Sequence, residues 1–147
     1  MMVATRPLDV LLIEDDPGDE LITREAFEQG AVTSTTLHVA RDGQDGLDFL
    51  YRRGAHRDAP RPDLILLDLN LPKYDGRQLL QTLKADSDLR HIPVVVLTTS
   101  SAQEDILRSY QLHANAYVTK SVDVEQFMDT VRQIEVFFVQ VARLPSH

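Results

Sequence analysis

Three stretches of the chain, Val10–Ile13, Leu64–Leu67 and Val94–Leu97, are each four consecutive aliphatic residues. A strand with one wetted face alternates apolar and polar positions, so an unbroken aliphatic run reads as a strand covered on both faces. Thr35–Val39 and Ala116–Val118 read as two weaker strands. Helical patterns separate them. Asp16-Pro17 supplies an N-cap followed by proline at the first helical position. The helix it opens carries Leu21, Ile22, Ala26 and Phe27 and closes at Gly30. Gly43 to Arg53 is helical, with Gly46, Leu47 and Leu50 on one face and Gly54 at its end. After the polar loop Ala55–Pro62 and the turn-rich Leu71-Pro72-Lys73-Tyr74-Asp75-Gly76, a third helix carries Leu79, Leu80 and Leu83. Ser101-Ala-Gln-Glu104 forms a capping box and opens a fourth helix with Ile106, Leu107 and Tyr110. Asp123 begins a last helix that runs to about Leu144, roughly 22 residues and twice the usual length.

Strands that alternate with helices favour a parallel sheet with helices on both faces, and right-handed crossovers leave few topologies. The 147 residues fit one domain. We read a single domain over 1–147, with a core over about 9–135, a C-terminal helix extension over about 135–145 and no output domain.

In such a sheet ligands bind at the carboxyl ends of the strands. Glu14, Asp15 and Asp16 follow the first aliphatic run, Asp68 and then Asn70 the third. Thr98 and Thr99 follow the fourth, and Lys120 follows the last strand. Carboxylates crowded together raise one another's pKa unless a cation sits among them. Mg²⁺ is hard, prefers oxygen, and is held by one or two carboxylates with water and phosphate oxygens. Glu14, Asp15, Asp68 and the Asn70 backbone carbonyl suit it, or Mn²⁺. One Asp68 oxygen would bind metal while the other attacks phosphorus in line. The metal and Lys120 would neutralise the equatorial oxygens, the main task in phosphoryl transfer. The Thr98 hydroxyl would donate to the attached group.

These motifs, Ile13-Glu-Asp-Asp-Pro17, Leu66-Leu-Asp-Leu-Asn-Leu-Pro72, Asp75-Gly76, Leu97-Thr-Thr99 and Tyr117-Val-Thr-Lys120, resemble the receiver domains of two-component response regulators over residues 9 to about 135. The resemblance implies a flavodoxin-like α/β fold: a five-stranded parallel sheet of order 2-1-3-4-5, five helices and an extended last helix. It implies transfer from a kinase phosphohistidine to Asp68, with Glu14 and Asp15 on Mg²⁺. Thr98 and Tyr117 become a switch pair, and Lys120 a phosphoryl contact. Thr99, Ser100 and Ser121 would tune the site. The Glu-Asp-Asp-Pro-Gly-Asp opening, the Thr98-Thr-Ser-Ser101 run and the tail Ile134-Glu-Val-Phe-Phe138 are similar to the output-less regulators associated with bacterial phytochrome kinases. The family usually carries proline, commonly with a cis bond, where this chain has Ser121. A cis bond before serine costs about 2.5–4 kcal/mol, against about 0.5–1 kcal/mol before proline. Either the fold supports that cost or, as we favour, the bond is trans and Lys120 approaches differently.

The implied protein is not an enzyme but a phosphoacceptor that assists its own phosphotransfer and autodephosphorylation. Two other functions compete. A dehalogenase-type aspartyl-phosphate phosphatase needs a second aspartate where Asn70 stands. A phosphorylation-independent adaptor would not need Glu14, Asp15, Asp68, Thr98 and Lys120 intact. The chain carries 15 basic and 23 acidic side chains, a formal charge of −8, which argues against nucleic acid as a partner. It has no cysteine, so thiolate chemistry and Cys-ligated metals are excluded. The short polar Met1–Leu8 has no apolar core of signal-peptide length, and no apolar run approaches the roughly 20 residues of a membrane span. A cytoplasmic location is expected. Beyond about Ile134 the apolar stripe of the last helix outruns the domain it would cover, which marks a partner surface. A homodimer through Ile134, Phe137, Phe138 and Val141 is expected.

Overall fold

The computed structural model describes residues 8–30, 35–69, 71, 76–98, 116–120, 123–135 and 137. Five strands form one sheet: β1 (Leu8–Ile13), β2 (Thr35–Ala40), β3 (Leu64–Asp68), β4 (Val94–Thr98) and β5 (Ala116–Thr119). All neighbours pair in parallel, in the order β2-β1-β3-β4-β5. This is the flavodoxin-like order the resemblance implies. Among the described residues the helices are α1 (Pro17–Gly30), α2 (Gly43–Tyr51), α3 (Gly76–Ala85) and α4 (Val124–Glu135), with a 3-10 turn at Gly54–His56. The helix expected from Ser101 lies outside the described residues, as does the expected run to Leu144.

The unbroken aliphatic runs are explained by two cores. Leu11, Ile13, Ile65, Leu67, Val94 and Val96 pack with Leu47, Leu50, Leu79, Leu80 and Leu83 of α2 and α3. Their sequence neighbours Val10, Leu12, Leu64, Leu66, Val95 and Leu97 pack with Ala26, Phe27, Phe127, Val131 and Ile134 of α1 and α4. Successive strand side chains point to opposite faces, so both parities must be apolar when helices cover both.

One expectation about a helix face needs correction. Ile134 was expected on a dimer surface, but it is 7% exposed and belongs to the core beneath α4. It lies three residues after Val131 and seven after Phe127, both buried, so it continues the inward stripe. Leu21 of α1, although apolar, is 56% exposed. The buried stripe there runs through Thr23, Ala26 and Phe27 instead. The end of α2 also differs. Arg52, not Gly54, caps it in the left-handed region at φ 56°, and its guanidinium donates to the Ala59 carbonyl at 2.9 Å. Gly54 then takes a second left-handed turn at φ 58°.

Capping follows the local chemistry. Asp16 accepts from the Gly18 amide at 2.9 Å at the start of α1, and Asp42 from Asp45 at 2.7 Å at the start of α2. Asp123 accepts from Glu125 at 2.9 Å ahead of α4.

Gly76 sits where α3 meets the end of β3. A Cβ there would lie 2.6 Å from the Asp68 carbonyl oxygen and 2.7 Å from the Leu69 Cα, both backbone atoms that cannot step aside. At Gly46 the clash would be with the movable Cδ1 of Ile13, at 2.8 Å. Gly76→Ala should therefore destabilise the fold by about 1–3 kcal/mol, and Gly46→Ala by less. Urea midpoints at unchanged slope measure both.

Candidate functional site

The site is built where the chain reverses its order of strand placement, at the carboxyl ends of β1 and β3. Ile13 pairs with Leu67, so the next residues, Glu14 and Asp68, emerge side by side. Asp68 pairs with Leu97, which brings Thr98 to the same edge, and Thr98 pairs with Thr119, which delivers Lys120. Glu14 is 1%, Asp68 6% and Lys120 7% exposed. Charges this deep persist only when paired.

The pairing converges on one ammonium. Lys120 Nζ donates to Glu14 Oε1 at 2.5 Å, to Asp19 Oδ2 at 2.9 Å and to Asp68 Oδ2 at 3.3 Å. The Asp16 amide donates to Glu14 Oε2 at 3.3 Å. Burial pushes the Glu14 carboxyl up to about 8; its hydrogen bond with Asp68 adds to this, against the pull of Lys120. Burial works to lower the Lys120 pKa, but hydrogen bonds to Glu14 and Asp19 outweigh it and hold the ammonium above the usual lysine range. At Glu14, the deepest of these carboxyls, desolvation outweighs the neighbouring ammonium.

Glu14, Asp15 and Asp68 each offer a carboxylate oxygen within 4.8 Å of the others. Two are buried and Asp15 is exposed, which leaves a path from solvent. An all-oxygen donor set with surplus negative charge fits a hard divalent cation. Asn70, Thr99, Ser100, Ser121, Phe138 and Val141 lie outside the described residues, as does the Lys120–Ser121 bond. Thr98 and Tyr117 occupy β4 and β5, but their side chains are likewise outside. Phe137 is 52% exposed.

Asp19 was not assigned from sequence. It is the third residue of α1, and its own carbonyl is held by the buried Thr23 hydroxyl at 2.8 Å. The available signal was its spacing: one helical turn after a strand-end acidic pair, behind a capped Asp-Pro start.

A family model for the response regulator receiver domain matches residues 10–132. The chain belongs to this family, the phosphoacceptor modules of two-component signalling. Within it, the chain is 41% identical over 140 residues to response regulator Rcp1 of Synechocystis sp. (strain ATCC 27184 / PCC 6803 / Kazusa), covering 95% of each. The crystal structure of the phosphorylated cyanobacterial phytochrome response regulator RcpA superposes with a TM-score of 0.92 at 42% identity, over 96% of this chain and 100% of that one. The Mn²⁺-bound form of Rcp1 gives 0.91 at 42% identity, over 95% and 100%. Receiver domains bind Mg²⁺ or Mn²⁺ at an acidic pocket, and Glu14, Asp15 and Asp68 form one here. They are generally non-enzymatic phosphoacceptors that meet histidine kinases.

Between pH 4.5 and about 8 the folded metal-free protein holds a proton on Glu14 that the unfolded chain has released. The stability from that proton is complete at the acid end and is lost as pH rises through the folded value. In chelator, the thermal midpoint should fall as pH rises across this window, and Glu14→Gln should flatten the slope. Because the cation must displace that proton, Mg²⁺ affinity measured by calorimetry should rise with pH over the same range.

Proposed function

We propose that this protein is a single-domain response regulator that accepts a phosphoryl group from a histidine kinase on Asp68 and signals through protein contacts. The observation that carries this reading is the buried Asp68 carboxylate at the end of β3, 3.3 Å from the Lys120 ammonium and within the Glu14–Asp15–Asp68 cluster. Asp68 at the end of β3 and Lys120 just after β5 meet at one edge of the sheet, so nucleophile and counter-charge are fixed before a donor arrives.

In the transfer, an Asp68 oxygen attacks phosphorus as the phosphorus–nitrogen bond of the phosphohistidine breaks, its electron pair going to the imidazole. Lys120 exchanges its Asp68 contact for a phosphoryl oxygen. Glu14 and Asp15, with the Asn70 carbonyl, would hold Mg²⁺ or Mn²⁺. A bound cation supplies further neutralisation of the equatorial oxygens. Thr98 donates to the attached group, Tyr117 responds with it, and Thr99, Ser100 and Ser121 set water access and hence autodephosphorylation.

Similarity to Rcp1 and RcpA supports a phytochrome-type kinase as the donor. The formal charge of −8 supports protein rather than nucleic-acid partners. Among the described residues no helix is long and apolar enough to cross a membrane, which supports a cytoplasmic location. The half-exposed Phe137 supports a homodimer through the C-terminal tail, with Phe138 and Val141.

Incubation with acetyl phosphate and Mg²⁺ should add a single phosphoryl group by intact mass, and Asp68→Asn should abolish it. Absence of any label would instead favour a phosphorylation-independent adaptor. Sedimentation at tens of micromolar should give a dimer that Phe137→Glu dissociates; a monomer with and without beryllofluoride would overturn that part.

A further inference from the structure

We propose that Asp19 is a positioning residue: it keeps the Lys120 ammonium beside the acceptor when a divalent cation occupies the Glu14–Asp15–Asp68 cluster. The inference rests on the phosphoacceptor reading of Asp68. An ammonium has three N–H donors. Lys120 directs them at three carboxylates from three separate elements: Glu14 after β1, Asp68 at the end of β3 and Asp19 in α1.

Those three partners are not equivalent. Glu14 and Asp68 also belong to the group whose oxygens lie within 4.8 Å of one another, and Asp19 does not. A hard cation entering that group draws on Glu14 and Asp68. An incoming phosphoryl group then engages Asp68 covalently. Of the three partners, Asp19 alone is committed to Lys120 and nothing else in the cluster.

The geometry suits a fixed tether. The Asp19 side chain is 25% exposed while that of Lys120 is 4% exposed, so Asp19 holds the ammonium from the solvent side. Its backbone is braced by the Thr23 hydroxyl on its carbonyl at 2.8 Å and by the Asp16 cap on Gly18 at 2.9 Å. An acidic side chain in the first turn of α1 also lies where the helix dipole favours it. Without it, the flexible four-carbon stem of Lys120 has no uncontested anchor, and the phosphoryl oxygens meet a cation that is present but not positioned.

The test compares wild type, Asp19→Asn and Asp19→Ala, each checked for an unchanged thermal midpoint in chelator. The rate of phosphorylation by acetyl phosphate in Mg²⁺ should fall roughly threefold to tenfold in Asp19→Ala, with Asp19→Asn between, as for loss of one positioning contact. Mg²⁺ affinity by calorimetry should stay within about twofold, since no cation ligand is removed. The Lys120 Nζ resonance in ¹H–¹⁵N spectra should be protected from solvent exchange in Mg²⁺-loaded wild type and broaden in Asp19→Ala. Unchanged rates with an unchanged Nζ signal would overturn the proposal. So would a parallel loss of Mg²⁺ affinity, which would place Asp19 on the cation, or faster phosphorylation, which would make it a restraint. If wild type takes no phosphate, the phosphoacceptor reading fails, whereas the Nζ signal still decides whether Asp19 holds Lys120.

Discussion

A single buried ammonium holds the carboxyl edge of this sheet together. Lys120 binds the carboxyl groups of Glu14, Asp19 and Asp68, which come from three separate elements. Removing it would leave two carboxylates buried without balance, a far larger penalty than the loss of an exposed pair. Everything that places Lys120 therefore matters to the site. β5 must pair with β4 in its observed register, and β4 with β3, for the ammonium to reach Asp68.

The same charge balance prepares the pocket for ligands. In the metal-free state one proton on Glu14 and one ammonium offset the carboxylates. The site lies at the ends of elements that also form the outer surface. α1 carries Asp19 and packs along α4, which begins just after Lys120.

Much of this was legible from the residues. The continuous runs Val10–Ile13, Leu64–Leu67 and Val94–Leu97 reported burial on both faces, and the two separate cores account for each parity. Asp16 was legible as a cap and Asp123 as the start of the last helix, because short acidic side chains reach amides within their own turn; the Asp42 cap appeared only in the structure. What escaped notice depended on direction around a helix or on backbone compromise. Ile134 looked like the start of an outrunning stripe, yet its rotation from Val131 still points inward. Leu21 is apolar but lies off the buried stripe. Arg52 takes a left-handed cap that glycine would adopt more easily, held there by its bond to Ala59.

By itself the sequence determined the parallel α/β class, the acidic and basic residues at the strand ends, and the family they define, because these depend on short-range pattern and residue chemistry. Only the tertiary structure decided how the charges are shared. Asp19 and Lys120 are separated by 101 positions in the chain, and the local spacing that sets Asp19 one turn beyond the acidic pair does not name Lys120 as its partner at 2.9 Å. That contact exists because strand register, helix capping and the order β2-β1-β3-β4-β5 bring distant ends to one edge. There, burial removes water and forces each charge to find a partner.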